Sequence, residues 1–175
     1  SIRSAAESGD HFHLWWLGQS GFLIKWNSTF LLLDPYLSDS LTAKYANGDK
    51  PHVRITERVI DPEQLDFINI TTSSHNHTDH LDAETLQALY KSNPNLKMVL
   101  PAANIEFAEK RLGLPQLEMI GIDDKNPVSV DQFTFHGINA AHNEVERNEL
   151  GQPKFMGFVV RFGPWSIYHS GDTLW

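Results

Sequence analysis

The run from Asp66 to Ser92, DFINITTSSHNHTDHLDAETLQALYKS, constrains this chain most: a β-branched apolar stretch gives way to histidines and acids, and these to helical spacing. DFINITTSS is rich in Ile and Thr and reads as a buried strand. Past the cluster, Asp82 stands where a helix N-cap would, Glu84 falls in the first turn, and Leu81 and Leu86 take the N′ and N4 positions of a hydrophobic staple. Leu86, Leu89 and Tyr90 supply the apolar face of that helix. HNHTDH is therefore wedged between the end of a strand and the start of a helix, where a rigid scaffold presents functional side chains. His75 and His77, two apart, converge on one ion if the backbone stays roughly extended, because such residues share a face. Asp79 and His80 follow after the chain turns and point to a second centre beside the first.

The rest of the chain supplies the layers around this unit. HFHLWWLG, GFLIKW and STFLLLDPYL are apolar and aromatic runs broken by Gly18 to Gly21 and by Asn27-Ser28, which predicts strands joined by tight turns, with Asn27-Ser28 a hairpin loop. Residues 38–62 lack periodicity and read as a long loop over a site. LKMVLPA is a second buried strand and NIEFAEKRLG a second helix, closed by Gly113. PVSVDQFTFHGINAAH, MGFVVRFG and WSIYHSGD then alternate as strands, with a turn at Gly163-Pro164. This order predicts an α/β layered domain of mixed sheets covered by helices over 11–175, after a flexible lead-in over 1–10.

Composition narrows the function classes. With 175 residues and 41% hydrophobic content, the chain has material for one core. Fourteen basic against 22 acidic residues give a charge of −8, and no Lys/Arg run tracks a phosphate backbone, which argues against long nucleic acid. There is no cysteine, so a transition-metal site must use nitrogen and oxygen ligands, and a cytoplasmic location fits. No apolar run approaches the roughly 20 residues of a membrane span.

H-x-H-x-D-H at 75–80, followed by AAH with His142 and by SGDT with Asp172, resembles the metallo-β-lactamase superfamily. WWLGQSGF, LLLDPYLSD and YHSGDT look most like its metal-dependent hydrolase branch that includes L-ascorbate-6-phosphate lactonase. The resemblance implies an αββα sandwich of mixed sheets with outer helices. It implies one or two divalent transition metal ions, zinc or manganese, the first held by His75, His77 and His142. The second would be held by Asp79 and His80, with Asp172 bridging both and Asp34 supporting the imidazoles from behind. Two such ions acidify a bridging water and polarise the scissile bond, and Asp79 is the catalytic candidate that holds or accepts the proton. The expected substrate is a small ester, lactone or phosphorylated sugar. The alternatives are a phosphodiesterase of phospholipase D type, or a metal-binding but inactive fragment.

One departure shapes the expectation. The family carries a further histidine on the second metal, well beyond SGDT, whereas this chain has none after His169 and ends at Trp175. The domain is therefore expected to be C-terminally incomplete, and completed by a second chain or by homo-oligomerisation. His169, on an alternating strand, is expected to be packed, while His11, His13, His52 and His136 have no partner motif. Phe12, Trp15, Trp16, Phe22 and Trp26 are expected in the core, and Asp82 is assigned to its helix rather than to metal.

Overall fold

The aromatic and apolar runs at the start of the chain form an antiparallel meander: β1 (His13–Gly18), β2 (Gly21–Trp26) and β3 (Thr29–Leu33). Asn27, in the hairpin turn, takes a φ of 50°, the left-handed conformation that asparagine tolerates. The computed structural model describes residues 2–5, 7, 9–49 and 51–174. β4 (Ile70–Thr72), β5 (Lys97–Pro101) and β6 (Glu118–Ile122) add to β3 in parallel, giving a six-stranded sheet in chain order. Parallel neighbours need crossovers: residues 34–69 join β3 to β4, α2 (Ala83–Ser92) lies between β4 and β5, and α3 (Ile105–Leu112) between β5 and β6. β7 (Val128–Val130), β8 (Phe133–Asn139), β9 (Met156–Phe162) and β10 (Trp165–His169) form an antiparallel sheet ordered β10-β9-β8-β7.

Alternation along the strands splits the core in two. Leu23, Leu32, Met98 and Leu100 pack with Leu86 and Leu89 of α2 and Ala108 and Leu112 of α3, so these helices cover one face of the large sheet. Ile24, Leu31, Leu33, Ile70 and Val99 face the other way and meet Phe133, Phe135, Phe158 and Val160 of the small sheet. This is the expected mixed sandwich. Asp82 caps α2 by accepting from Thr85 N (3.3 Å), and Gly113 (φ 62°) closes α3. No helix among the described residues is long and apolar enough to cross a membrane.

Four expectations need correction. Part of the lead-in is docked: Ile2 packs on the helix-side core, Arg3 pairs with Asp66, and Lys25 Nζ donates to Ala5 O (2.5 Å). Ser1, Ala6 and Ser8 of that stretch lie outside the described residues. The loop at 38–62 contains a short helix, α1 (Ser40–Tyr45), anchored by buried Leu41, and a 3-10 turn at Pro62–Gln64. β6 was not foreseen, because Gly121 weakens its strand signal; a Cβ there would lie 2.9 Å from Ile105 Cδ1, so glycine lets the start of α3 seat on the strand. Finally, Trp26 is buried but Trp16 is 55% exposed, since it sits on the edge strand of the wider sheet.

Candidate metal centre

Four strand ends build the site. Asp34 follows β3, residues 73–80 follow β4, His142 lies three residues past β8, and Asp172 three past β10. Polar side chains at strand ends cost little stability, because the sheet interior remains apolar.

The 75–80 segment does not run extended. His80 N and Leu81 N both donate to His77 O (3.2 and 2.8 Å), which coils the loop, and Arg111 Nη1 clamps it from outside through Asn76 O (2.6 Å) and Leu81 O (3.3 Å). His75 and His77 still meet, by way of the coil rather than a shared strand face, with ring centroids 4.6 Å apart at 76°. His142 closes on His77 at 4.6 Å, and Phe155 packs 5.0 to 5.6 Å from all three rings as an apolar wall. One ligand atom each of His75, His77 and Asp172 lies within 4.8 Å of the others.

Asp172 stands between two groups. Its Oδ2 is 3.8 Å from Nε2 of both His75 and His142, and its Oδ1 is 3.2 Å from His80 Nε2. Asp79 Oδ2 lies 3.7 Å from His80 Nε2. Gly171 takes a φ of 57°, and a Cβ there would fall 2.7 Å from Met156 O and 2.9 Å from Ser74 Cβ, so the turn that delivers Asp172 requires glycine.

Beneath these groups, Asp34 is fully buried at a φ of 38°. It accepts from Thr72 Oγ1 (2.7 Å), from Ser74 N on both oxygens (3.1 Å each) and from His80 Nδ1 (2.8 Å). The His80 ring is thereby aimed with Nε2 toward Asp172 and Asp79, the arrangement by which a carboxylate orients a ligating imidazole. Burial alone would raise the Asp34 carboxyl, but His169 and His80 nearby, together with hydrogen bonds from His80 and Ser74, hold it well below the usual carboxylate range. For His80, burial opposes the charge, yet hydrogen bonds to Asp172 and Asp34 outweigh it and push the imidazole up to about 10. The hydrogen bond from His80 brings Asp172 down to about 2. His75 goes the opposite way: burial and then the neighbouring His80 push it down to about 3, so its ring is neutral at pH 7.

The neutral His75 ring tests whether the cluster fits a cation. Its Nδ1 lies 3.0 Å from Ser74 Oγ, while its Nε2 is buried with no hydrogen-bond partner. Such a group in a native core calls for an explanation, and a cation in front of the nitrogen provides one. With imidazole and carboxylate donors and no cysteine, the set suits a divalent transition metal.

All seven expected residues are brought together, and Asp82 stays apart at its cap. His169 Nε2 donates to Ser20 O (2.9 Å) as a packed residue, His11 packs edge-on against His13, and His52 contacts Thr42. Three contributors were missed in the sequence. Gln19 Nε2 donates to Asp79 Oδ2 (3.0 Å), Ser74 contacts His75 and His80, and Phe155 walls the histidines. The words LGQSG and TTSSH contained Gln19 and Ser74, but nothing local aims them.

Residues 13–175 match the beta-lactamase superfamily domain. A metal-dependent hydrolase of Caldivirga maquilingensis is 28% identical over 162 residues, 92% of this chain and 60% of the relative. N-acyl-phosphatidylethanolamine-hydrolyzing phospholipase D 1 of Caenorhabditis elegans is 29% identical over 65% of the chain and 29% of its own length. The probable L-ascorbate-6-phosphate lactonase of Salmonella heidelberg is 21% identical over 93% of the chain and 54% of its own length. In three dimensions, the isothiocyanate hydrolase from Delia radicum gut bacteria superposes with a TM-score of 0.66 at 20% identity, over 94% of this chain and 64% of that one. The chain spans 55% to 62% of the length of the metal-dependent hydrolases it matches. A domain match over nearly the whole chain and a shared fold agree with the ligand-bearing strand ends: the chain belongs to the metallo-β-lactamase superfamily.

Proposed function

We propose that this chain carries the metal site of a hydrolase acting on a small ester or lactone, a phosphorylated sugar lactone included. The observation that carries the reading is the buried, unpartnered Nε2 of His75 facing a set of nitrogen and oxygen donors. His75, His77 and His142 would hold a first divalent ion, zinc or manganese, and Asp79 and His80 would reach a second, with Asp172 shared between them. An ion held there would acidify water and polarise the scissile carbonyl or phosphoryl oxygen. Asp79, hydrogen-bonded by Gln19, would hold or accept the proton of that water, and Phe155 would screen the histidines from bulk water. Asp34 fixes the tautomer of His80, so that Nε2 is the nitrogen turned to the site. A phosphodiester is the second reading, supported by the phospholipase relative. The absence of cysteine supports a cytoplasmic setting.

Protein purified without chelator should contain bound transition metal by elemental analysis, and His77→Ala should lose it; metal-free native protein would overturn the site. With metal present, the protein should open a simple lactone or cleave an activated phosphodiester, and His75→Ala should lower that rate by about a hundredfold or more. Full metal occupancy without turnover on either class would point instead to a site that works only with a completing chain.

A further inference from the structure

We propose that the cavity beside His77 and Asp79, between α1 and α3, takes an anionic group of the substrate, a carboxylate or a phosphate, held by Lys44 and Arg111. The inference rests on the hydrolase reading only for where the scissile bond lies. The cavity has a volume of about 390 Å³, and its wall includes Lys44, Tyr45, Phe107 and Arg111 as well as His77 and Asp79. A ligand lying in it would thus touch two of the proposed metal-site residues and two cations together.

Two cations stand on the wall of this cavity, Lys44 and Arg111. In this chain of net charge −8, Arg3, Arg58, Lys97, Lys110, Arg147 and Lys154 all pair with carboxylates. Lys110, the immediate neighbour of Arg111, pairs with Glu106 at 2.6 Å. Among the described residues, no such ion pair is made by Arg111 or Lys44. Arg111 Nη1 donates only to the carbonyls of Asn76 and Leu81, and Lys44 Nζ makes a long 3.4 Å contact to Thr78 Oγ1. Their hydrogen-bond partners are neutral, and Asp82 is the carboxylate whose charge acts on Arg111 without a hydrogen bond to it, so both cations keep donor capacity for an anion. Asp79, the acid bordering the cavity, is already engaged by Gln19.

The ring contacts define the cavity further. Tyr45 and Phe107 are each 42% exposed. Lys44 Nζ lies 5.1 Å from the Tyr45 ring centroid, and Arg111 Cζ 4.4 Å from that of Phe107, so each ring carries a cation on its face. The result is a slot with apolar flanks and two cationic ends, suited to a small molecule with one charged end. Arg111 also grips the backbone of the 75–81 loop, so an anion bound to it would press against the segment that presents His77.

The test uses metal-loaded protein, with inorganic phosphate and acetate as probes in calorimetric titrations, and with Lys44→Ala and Lys44→Arg as variants. Lys44 is exposed on a short helix, so these variants avoid the risk to folding carried by a change at Arg111. Lys44→Ala should weaken binding of at least one anion about tenfold, with Lys44→Arg restoring most of it. The anion that loses more identifies the group as phosphate or carboxylate. In parallel, the ratio of kcat/KM for a carboxylate-bearing over a neutral nitrophenyl ester should fall about tenfold in Lys44→Ala, through KM. Anion affinity equal in wild type and Lys44→Ala would overturn the proposal, whatever the turnover, since Lys44 would then hold no anion. Lys44-dependent binding without turnover of any ester would uphold the cavity while removing the hydrolase reading.

Discussion

Replacing Asp34 by Asn tests the support beneath the site most directly, because the side chain keeps its size and Asn tolerates the 38° φ. The carboxylate receives hydrogen bonds on both oxygens, from Thr72 Oγ1, Ser74 N and His80 Nδ1. An amide has one acceptor oxygen, so either orientation sets an NH2 against a donor. The charge-assisted bond to His80 is worth about 1.5–3 kcal/mol, and breaking a buried charge pair costs about 3–5, so a loss of about 2–4 kcal/mol in the metal-free protein is expected. For a domain of this size that lowers Tm by on the order of 10 °C. The pH dependence separates charge from shape. His80 stands at about 10 in the folded protein, above its ordinary 6.5, so its contribution is complete below pH 6.5 and is lost as pH rises through 10. Urea unfolding of chelated wild type and Asp34→Asn at pH 6 and pH 10 should therefore show the larger difference at pH 6. An equal difference at both values would refute the account, since only the charge on His80 changes its pairing with Asp34 across that range.

The remaining predictions concern the positions that deliver the ligands. Gly171→Ala should weaken metal binding by about tenfold or more, measured by competition with a chelating dye, because its Cβ would meet Met156 O at 2.7 Å and displace Asp172. Asp82→Ala removes the acceptor of Thr85 N and of Ser40 Oγ (2.9 Å), and should cost about 1–2 kcal/mol in chemical denaturation while the metal content of the folded protein is unchanged. Metal loss from the Asp82 variant would mean that the acid serves the site rather than the helix.

How much could be read in advance depended on whether a signal was local. The strand into HNHTDH and the cap at Asp82 were legible because Ile/Thr content, an Asx cap and helical spacing all act within a few residues. β6 was not, since its intermediate exposure and Gly121 make sense only against Ile105 and Ala102. The same holds within the site. His142 and Asp172 were identified by resemblance, and their convergence depends on the 3.1 Å bond from Ala141 N to Thr173 Oγ1 and the 2.8 Å bond from Leu174 N to Ala141 O. Gln19 lies in WWLGQSGF, but its role was not legible because it reaches Asp79 across 60 residues.

Charge complementarity around His80 helps hold these strand ends together. Asp34, Asp79 and Asp172 gather three carboxylates around His80, whose ring lies between Asp34 at 2.8 Å and Asp172 at 3.2 Å. Its protonated form supplies the positive charge that the group needs, which is the physical content of its raised pKa. The proton on Nδ1 is donated to Asp34 and can stay on His80 whether or not a cation is bound. The proton on Nε2 faces Asp172 and must leave if that nitrogen is to ligate, so metal uptake is coupled to proton release and weakens as pH falls. His75 carries no such cost, because burial and the charge on His80 already keep it neutral. On the proposed site, a first ion would therefore meet the smaller proton cost on the His75 side of Asp172.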